Sequence, residues 1–332
     1  ARFFFPPSYR RHHSMLREKL EIVAPVYNEE EVLNETLARF NLLRQNLAKE
    51  NVDVSFLFVD DGSSDSTLEI LRKASLKQLH LKVLSLSRNF GHQFALTAGL
   101  DYADADFIVI IDADLQDPPE LIPDMLNLAR KGFHNVYGKR RSRQSETWFK
   151  KVTASVFYQF LSYMSDTKIP ASTGDFRLIT RPVHKAFCSM REKHRFIRGM
   201  IPWIGFKSFA LEYDRDRRFA GKTKFPFSKM FAFASNAIFS FSTKPILIAT
   251  RLGLVTIILG FTGAVCIVYL KLFTNTPVPG LTSILTSLSI FSGIQILLIG
   301  LVGSYVARIF EEGKGRPLYI VNETHNLKCD ID

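Results

Sequence analysis

The 332-residue chain has only three cysteines, Cys188, Cys266 and Cys329, widely separated and with no CxxC pair. Such spacing provides neither a disulfide framework nor a zinc set, and isolated reduced thiols are the expectation for a cytosol-facing protein. The first residues are rich in Arg and His, and their only apolar run is Phe3-Phe4-Phe5, too short for a signal-peptide core. The part of the chain before the apolar final third is therefore expected to stay in the cytosol. No RNA- or DNA-binding motif occurs, so the net charge of +11 is not assigned to nucleic acid. No internal repeat is visible. The histidines, His92 among them, show no metal-ligand spacing and are read as packed or surface imidazoles. Trp148 and Trp203 fit core packing as well as a membrane interface.

The basic excess clusters at about 139–151 and 191–229, just before a strongly apolar final third. That placement points to lipid headgroups or a phosphorylated substrate. Before it, the chain reads as an ordinary α/β domain. Glu21 to Val26 is a short buried strand closed by Tyr27-Asn28-Glu29-Glu30, and Leu33, Leu37, Phe40 and Leu47 then recur at helical spacing. A second strand, Val54 to Val59, ends at Asp60-Asp61-Gly62-Ser63-Ser64-Asp65, where Ser64 or Asp65 can cap a helix running to about Ala74. Leu81 to Leu86 leads into Ser87-Arg88-Asn89-Phe90-Gly91-His92, and Phe107 to Ile111 terminates at Asp112. Near-continuous apolar strands alternating with helices predict a parallel sheet covered on both faces. The polar motifs all follow strand C-termini, the edge at which open α/β sheets bind ligands. Any one of them is also what an ordinary turn contains; three on one edge favour a site.

From about Lys224 the pattern changes. Phe227, Phe231, Ala234, Ile238 and Phe241 fall on one side of a helix over 225–244, with Pro226 suited to its first turn, which predicts an amphipathic segment lying in a membrane interface. Leu252 to Leu270 and Ile284 to Val306 contain no charged residue, and each gives roughly 28–35 Å of helix, enough to cross a bilayer core. Lys224, Lys229, Lys244 and Arg251 precede the first span and Arg308, Lys314 and Arg316 follow the second, while the connecting loop holds only Lys271. Positive residues mark the cytosolic side, so both termini are expected there, in an integral plasma-membrane protein. Gly253, Gly260 and Gly263 with Gly293, Gly300 and Gly303 allow close helix approach, within the hairpin or between copies in a homo-oligomer.

Asp112 and Asp114, one residue apart at the end of an apolar strand, are costly to hold together without a cation. Mg²⁺ or Mn²⁺ is the expected one, since both take hard oxygen ligands and share them with phosphates. Gln116 can add a carbonyl oxygen.

Taken in order, Pro25-Val26-Tyr27-Asn28-Glu29, Val59-Asp60-Asp61-Gly62-Ser63-Ser64-Asp65, Asp112-Ala113-Asp114-Leu115-Gln116-Asp117-Pro118-Pro119-Glu120 and Gly174-Asp175-Phe176-Arg177-Leu178 resemble the successive motifs of the inverting GT-A glycosyltransferases of family 2. More narrowly they resemble the polyprenyl-phosphate sugar transferases, the group of dolichyl-phosphate mannose synthase, and the paired apolar spans are similar to the bacterial bactoprenol glucosyltransferase branch. The likeness runs from about Glu21 to Arg316. It implies a GT-A, Rossmann-like, mostly parallel sheet followed by the interfacial helix and two transmembrane helices. The corresponding divisions are an N-terminal extension (1–20), a catalytic domain (21–224), the amphipathic helix (225–244), the hairpin (245–310) and a cytosolic tail (311–332).

Carried onto this chain, the resemblance implies that Pro25, Tyr27, Glu29, Asp60 and Asp112 bind the nucleotide-sugar, and that Asp112, Asp114 and Gln116 hold metal and diphosphate. Arg140 would face the phosphates and Asp175 would stand at the reaction centre, either as an orienting or weak basic group or as a structural partner of Arg177 or another cation. Lys151, Arg217, Arg218, Lys222 and Lys224 would receive the acceptor phosphate. Lys150 or Lys151 replaces a family arginine, a point charge in place of a bidentate fork. The implied reaction moves a hexose, glucose from UDP-glucose in the nearest branch, with inversion onto undecaprenyl phosphate. Mannose and aminoarabinose synthases of the same group, and a non-catalytic nucleotide-binding membrane scaffold, are the alternatives. The lack of a QxxRW motif and of further spans disfavours a processive polysaccharide synthase.

Overall fold

The computed structural model describes residues 17–141, 173–214, 244–273 and 280–327. The amphipathic helix expected before Lys244, and the expected acceptor cations Lys151, Arg217, Arg218, Lys222 and Lys224, lie outside the described residues.

The expected strands form where the apolar runs placed them, as β1 (Glu18–Val26), β2 (Val52–Asp60), β3 (Leu81–Leu86) and β4 (Phe107–Ile110). Between them lie α1 (Glu30–Ala48), α2 (Thr67–Lys77) and α3 (His92–Tyr102). Then follow α4 (Ile122–Arg130), β5 (Asn135–Arg140), β6 (Thr173–Thr180), α5 (Arg181–Ser189), α6 (Ile197–Trp203) and β7 (Ser208–Tyr213). Two long helices, α7 (Lys244–Phe273) and α8 (Leu281–Gly313), precede a last strand, β8 (Val321–His325). The strands make one mixed, mostly parallel α/β sheet in the order β7-β5-β6-β4-β1-β2-β3-β8, in which β1 to β4 run parallel and β6 and β8 run against their neighbours.

Alternation along the strands feeds two cores. Phe56 and Phe58 point to the face covered by α1, α2 and α4, while Leu57 and Val59 point to the face covered by α3, α5 and α6. Phe40 of α1 packs on both phenylalanines, at ring separations of 5.5 and 5.8 Å. One charge is enclosed with this apolar set: Glu21 is fully buried and accepts hydrogen bonds from Ser55 Oγ, Lys82 Nζ and the Asp104 amide, joining β1, β2, β3 and the turn before β4.

The helices α7 and α8 are long and apolar enough to cross a membrane, and their large side chains are exposed along their length. None of the six glycines noted above would bring an added Cβ within 4 Å of another described group, so among the described residues they are not used for close packing. The segment after 311, expected as a tail, returns instead to the catalytic domain, where β8 pairs antiparallel with β3 and forms the sheet edge.

Candidate active site

The parallel run of β1 to β4 puts Val26, Asp60, Leu86 and Ile110 at one edge of the sheet, and the loops leaving it are tied together. Asn28, at φ +53°, accepts the Ser64 amide on Oδ1 and donates its own amide to Ser63 Oγ. Asp65 accepts the Thr67 amide at 3.0 Å and also reaches the Glu30 amide at the start of α1, but the N-cap of α2 is Ser66, which makes no side-chain cap hydrogen bond, so neither Ser64 nor Asp65 is the cap expected. Asp61 accepts the Phe90 and Gly91 amides at 2.7 and 2.9 Å. Burial pushes the Asp61 carboxyl above its ordinary value. Gly62 has φ +69° and lies so near Arg88 that a Cβ would come within 2.5 Å of its carbonyl carbon; only glycine fits there.

The antiparallel pairing of β4 with β6 brings Ile110 opposite Arg177, and Asp112, two residues after Ile110, stands at the same edge as Asp175, two residues before Arg177. The Gly-Asp-Phe-Arg-Leu motif is thus a strand entering the sheet at the same edge that the Asp-Ala-Asp motif leaves. Asp175 is 1% exposed, and its two oxygens accept Nε and Nη2 of Arg198 in a bidentate pair, both at 2.8 Å. His92 Nε2 lies 3.2 Å from Asp175 Oδ2 and 3.6 Å from Asp112 Oδ1. Burial opposes the Asp175 charge, but Arg198 and His92 outweigh it and hold the carboxyl well below the usual range. Burial likewise disfavours a charged His92, yet Asp112 and Asp175 push it up to about 9, so the ring is an imidazolium at neutral pH. Arg177 turns away from the carboxylate and donates to the backbone oxygens of Asp175 and Gly174.

Burial also raises the Asp112 carboxyl, relieved in part by His92 and reinforced by Asp175, Asp114 and Asp117. Its Oδ1 is buried and makes no hydrogen bond in this structure. A carboxylate oxygen with no hydrogen bond among the described residues, facing Asp175, Asp114 and Asp117 with His92 at 3.6 Å as its counter-charge, fits a divalent cation. Among the described residues no three His, Cys, Asp or Glu side chains converge as a complete ligand set.

These groups line a cleft of about 970 Å³ that also includes Pro25, Tyr27, Glu29, Asp61 and Asp114. Most of the expected donor residues are therefore brought together, and three expected residues are not on its wall. Asp60 is 1% exposed, and its carboxylate accepts hydrogen bonds from the Ser63 amide and Ser85 Oγ at the base of the loop. Gln116 is buried, and its amide donates to Asp114 Oδ1 at 3.1 Å; Leu115, at φ +57°, has turned the chain away from the cleft. Arg140 points its guanidinium at the buried Asp117 and the Tyr213 hydroxyl, which itself donates to Asp117. Gly174 makes room for that guanidinium, since a Cβ there would come within 2.6 Å of Arg140 Nη2.

Sequence reading missed Arg198 and His92. His92 followed a noted strand-end motif, and that position was its only signal; Arg198 carried none, because its partner lies 23 residues away.

Comparison with known proteins agrees with this geometry. The model for Glycosyl transferase family 2 matches residues 21–187. The glycosyltransferase YkcC of Bacillus subtilis is 47% identical over 307 residues, covering 92% of this chain and 94% of that one. The SfII prophage-derived bactoprenol glucosyl transferase of Shigella flexneri is 37% identical over 311 residues, covering 92% and 98%. Among solved structures, glucosyl-3-phosphoglycerate synthase from Mycobacterium tuberculosis aligns at 18% identity with a TM-score of 0.45, over 67% of this chain and 78% of that one. A family match that begins in β1 and runs through the strand-end carboxylates to α5, joined to full-length relatives at these identities, leaves one assignment: the chain is a glycosyltransferase and belongs to glycosyl transferase family 2.

Proposed function

We propose that this enzyme transfers glucose from UDP-glucose, with inversion at the anomeric carbon, to undecaprenyl phosphate at the cytosolic face of the bacterial plasma membrane. The observation that carries the reading is that one cleft is lined both by the strand-end carboxylates Asp112, Asp114 and Asp175 and by Glu311, Lys314 and Arg316 at the end of a membrane-length helix. A soluble sugar donor and a bilayer-bound acceptor need such a common cleft. The Shigella flexneri relative is a bactoprenol glucosyl transferase by name, which favours glucose over mannose or aminoarabinose. With α7 and α8 as a spanning hairpin, the basic residues flanking them put both termini in the cytosol.

Pro25, Tyr27 and Glu29 are the donor-side wall, and Asp112 and Asp114 are the residues that would hold Mg²⁺ or Mn²⁺. When bound, the ion supplies positive charge to the diphosphate as it leaves. The acceptor is a phosphate monoester, mostly dianionic at neutral pH with a second pKa of about 6. One of its oxygens bonds to the anomeric carbon as the bond from that carbon to the UDP oxygen breaks. The four negative charges of the reactants become one on the lipid phosphodiester and three on UDP, and no proton has to be removed. Asp175 is accordingly an orienting residue: fully engaged by Arg198 and His92, it fixes two cations beside the site where like-charged phosphates must meet. Arg140 acts through its pairing with Asp117 behind the metal loop.

The test is purified full-length protein with Mn²⁺ or Mg²⁺, undecaprenyl phosphate and a panel of labelled sugar nucleotides, with products identified by mass. A hexosyl phospholipid from UDP-glucose is expected. No lipid-linked sugar from any donor would end the reading, and equal transfer in EDTA would remove Asp112 and Asp114 from their role.

A further inference from the structure

The hairpin comes back to the catalytic domain at a fixed place. At the end of α8, the Lys193 amide donates to Glu312 Oε1 at 2.6 Å, Lys193 Nζ donates to the Glu311 carbonyl at 2.5 Å, and His194 Nε2 lies 2.8 Å from Glu311 Oε2. A few residues later Leu318 is buried, the Tyr319 hydroxyl donates to Asp101 Oδ2 at 2.8 Å, and the Ser87 amide donates to the Ile320 carbonyl. The chain between these two anchors is Lys314-Gly315-Arg316-Pro317, with Gly315 at φ +61° turning it out of the helix. Lys314 and Arg316 are thereby held, exposed, on the wall of the cleft that contains Asp112 and Asp175.

Their charges are available. Arg316 makes no hydrogen bond or ion pair with another described residue, and the Lys314 ammonium rests 4.3 Å over the Phe310 ring with no carboxylate paired to it among the described residues. The loop they are clamped to adds more positive charge to the same cleft. Arg195 there is 8% exposed, and its Nε and Nη2 lack any hydrogen bond in the structure. At the hairpin exit the cleft wall carries Lys193, Arg195, Lys314 and Arg316 against the single carboxylate Glu311, which His194 pairs, whereas at the sheet edge Asp112, Asp114 and Asp175 stand with His92 and Arg198. The carboxylates suit a cation and the donor diphosphate, which leaves the cationic part for a second anion. Arg316 stands three residues beyond the last residue of α8, roughly 10 Å of chain at most, so that anion is one presented at headgroup depth.

We propose that Arg316, with Lys314, binds the phosphate of the lipid acceptor, so that the segment after the second membrane-length helix completes the acceptor side of the active site. This rests on the transferase reading above. It gives these two residues a role beyond marking the cytosolic side, and it makes the return of β8 to the sheet the device that positions them.

The experiment measures acceptor KM, donor KM and UDP affinity for wild type, Arg316→Ala, Arg316→Lys and Lys314→Ala in nanodiscs of phosphatidylcholine and, separately, with added anionic lipid. Arg316→Ala should raise acceptor KM about tenfold in the neutral bilayer and leave donor KM and UDP affinity unchanged; Arg316→Lys should recover part of the loss, and Lys314→Ala should show a smaller rise. An unchanged acceptor KM overturns the proposal. So does an effect confined to the anionic bilayer, which would make these residues headgroup contacts. A loss of UDP affinity in both Arg316 variants also overturns it, by placing the residue in the donor half or in the fold. If wild type forms no lipid-linked sugar from any donor, the transferase reading itself has failed and this proposal falls with it.

Discussion

The two sides of the cleft differ in how their charges are held. At the sheet edge, Asp175 is enclosed, and a bidentate arginine and an imidazolium fix it within 3.2 Å. At the hairpin exit, Lys314 and Arg316 are exposed on a segment held between two anchors, with the Lys314 ammonium resting on the Phe310 ring and no carboxylate paired to either among the described residues. Groups fixed by their mutual pairing stabilise developing charge without reorganising during the reaction. Exposed cations attract and steer an anion, and salt screens them. This is the division expected if the buried side performs the chemistry on a small soluble donor while the exposed side captures a substrate that diffuses in the plane of a bilayer.

The sharpest way to break that contrast is at the strand-end carboxylates. Asp112→Asn and Asp114→Asn should each lower kcat/KM on the order of 10³-fold, as for loss of a preorganised electrostatic group. UDP affinity should fall only in the presence of Mn²⁺. Titration of UDP with and without EDTA checks this, because wild type and variants should become indistinguishable once metal is removed. A difference that persists in EDTA would mean that the carboxylates contact the nucleotide directly.

Asp175→Asn should follow, with kcat reduced about 10²-fold through misplacement of Arg198 and His92. Removing the carboxylate also strands a partly buried arginine. Breaking a fully buried pair costs about 3–5 kcal/mol; with the Arg198 side chain 31% exposed, about 2 kcal/mol is expected, a fall of about 5 °C in the thermal midpoint of the catalytic domain. Since the folded carboxyl is held below its ordinary value, this stability is present above the unfolded value of about 3.9 and is lost only as pH falls below it. The midpoint difference between wild type and variant should therefore persist down to pH 5, and it should widen as pH falls from 8 toward the unfolded histidine value of about 6.5, because Asp175 also helps to hold the proton on His92. Complete loss of turnover at every pH, with binding and geometry intact, would instead make Asp175 an obligatory proton acceptor.

The same contrast sorts what could be read from the sequence. Apolar runs such as Phe107–Ile110 and loops such as Asp112-Ala113-Asp114 are local, so β1 to β4 and most of the donor wall were legible. β8 was not: Val321-Asn322-Glu323-Thr324-His325 is mostly polar, and it becomes a strand only because β3 offers an edge some 240 positions earlier in the chain. The partners of Asp60 were not legible for a related reason. Its residue type suits a ligand pocket, while its actual partners, Ser63 and Ser85, are set by the packing of β2 against β3. Arg198 found Asp175 through the return of β6 and α6 to the same edge, a juxtaposition that no spacing rule anticipates.

The smallest effect expected lies in the clamp itself. Glu312→Gln weakens the anchor that holds the end of α8 to Lys193 without touching either cation or the donor wall. An exposed contact of this type contributes about 0.2–1 kcal/mol. If the anchor positions Lys314 and Arg316, that appears as an acceptor KM about two- to threefold higher, with donor KM and UDP affinity unchanged. Raising ionic strength from about 0.05 to 0.5 M shortens the screening length from above 10 Å to below 8 Å, so wild-type acceptor KM should rise several-fold while donor KM moves less. In Glu312→Gln the two effects should compound, because a loosened segment holds its cations further from the phosphate, where screening weighs more. Equal salt sensitivity of donor and acceptor KM would remove the distinction between the two walls.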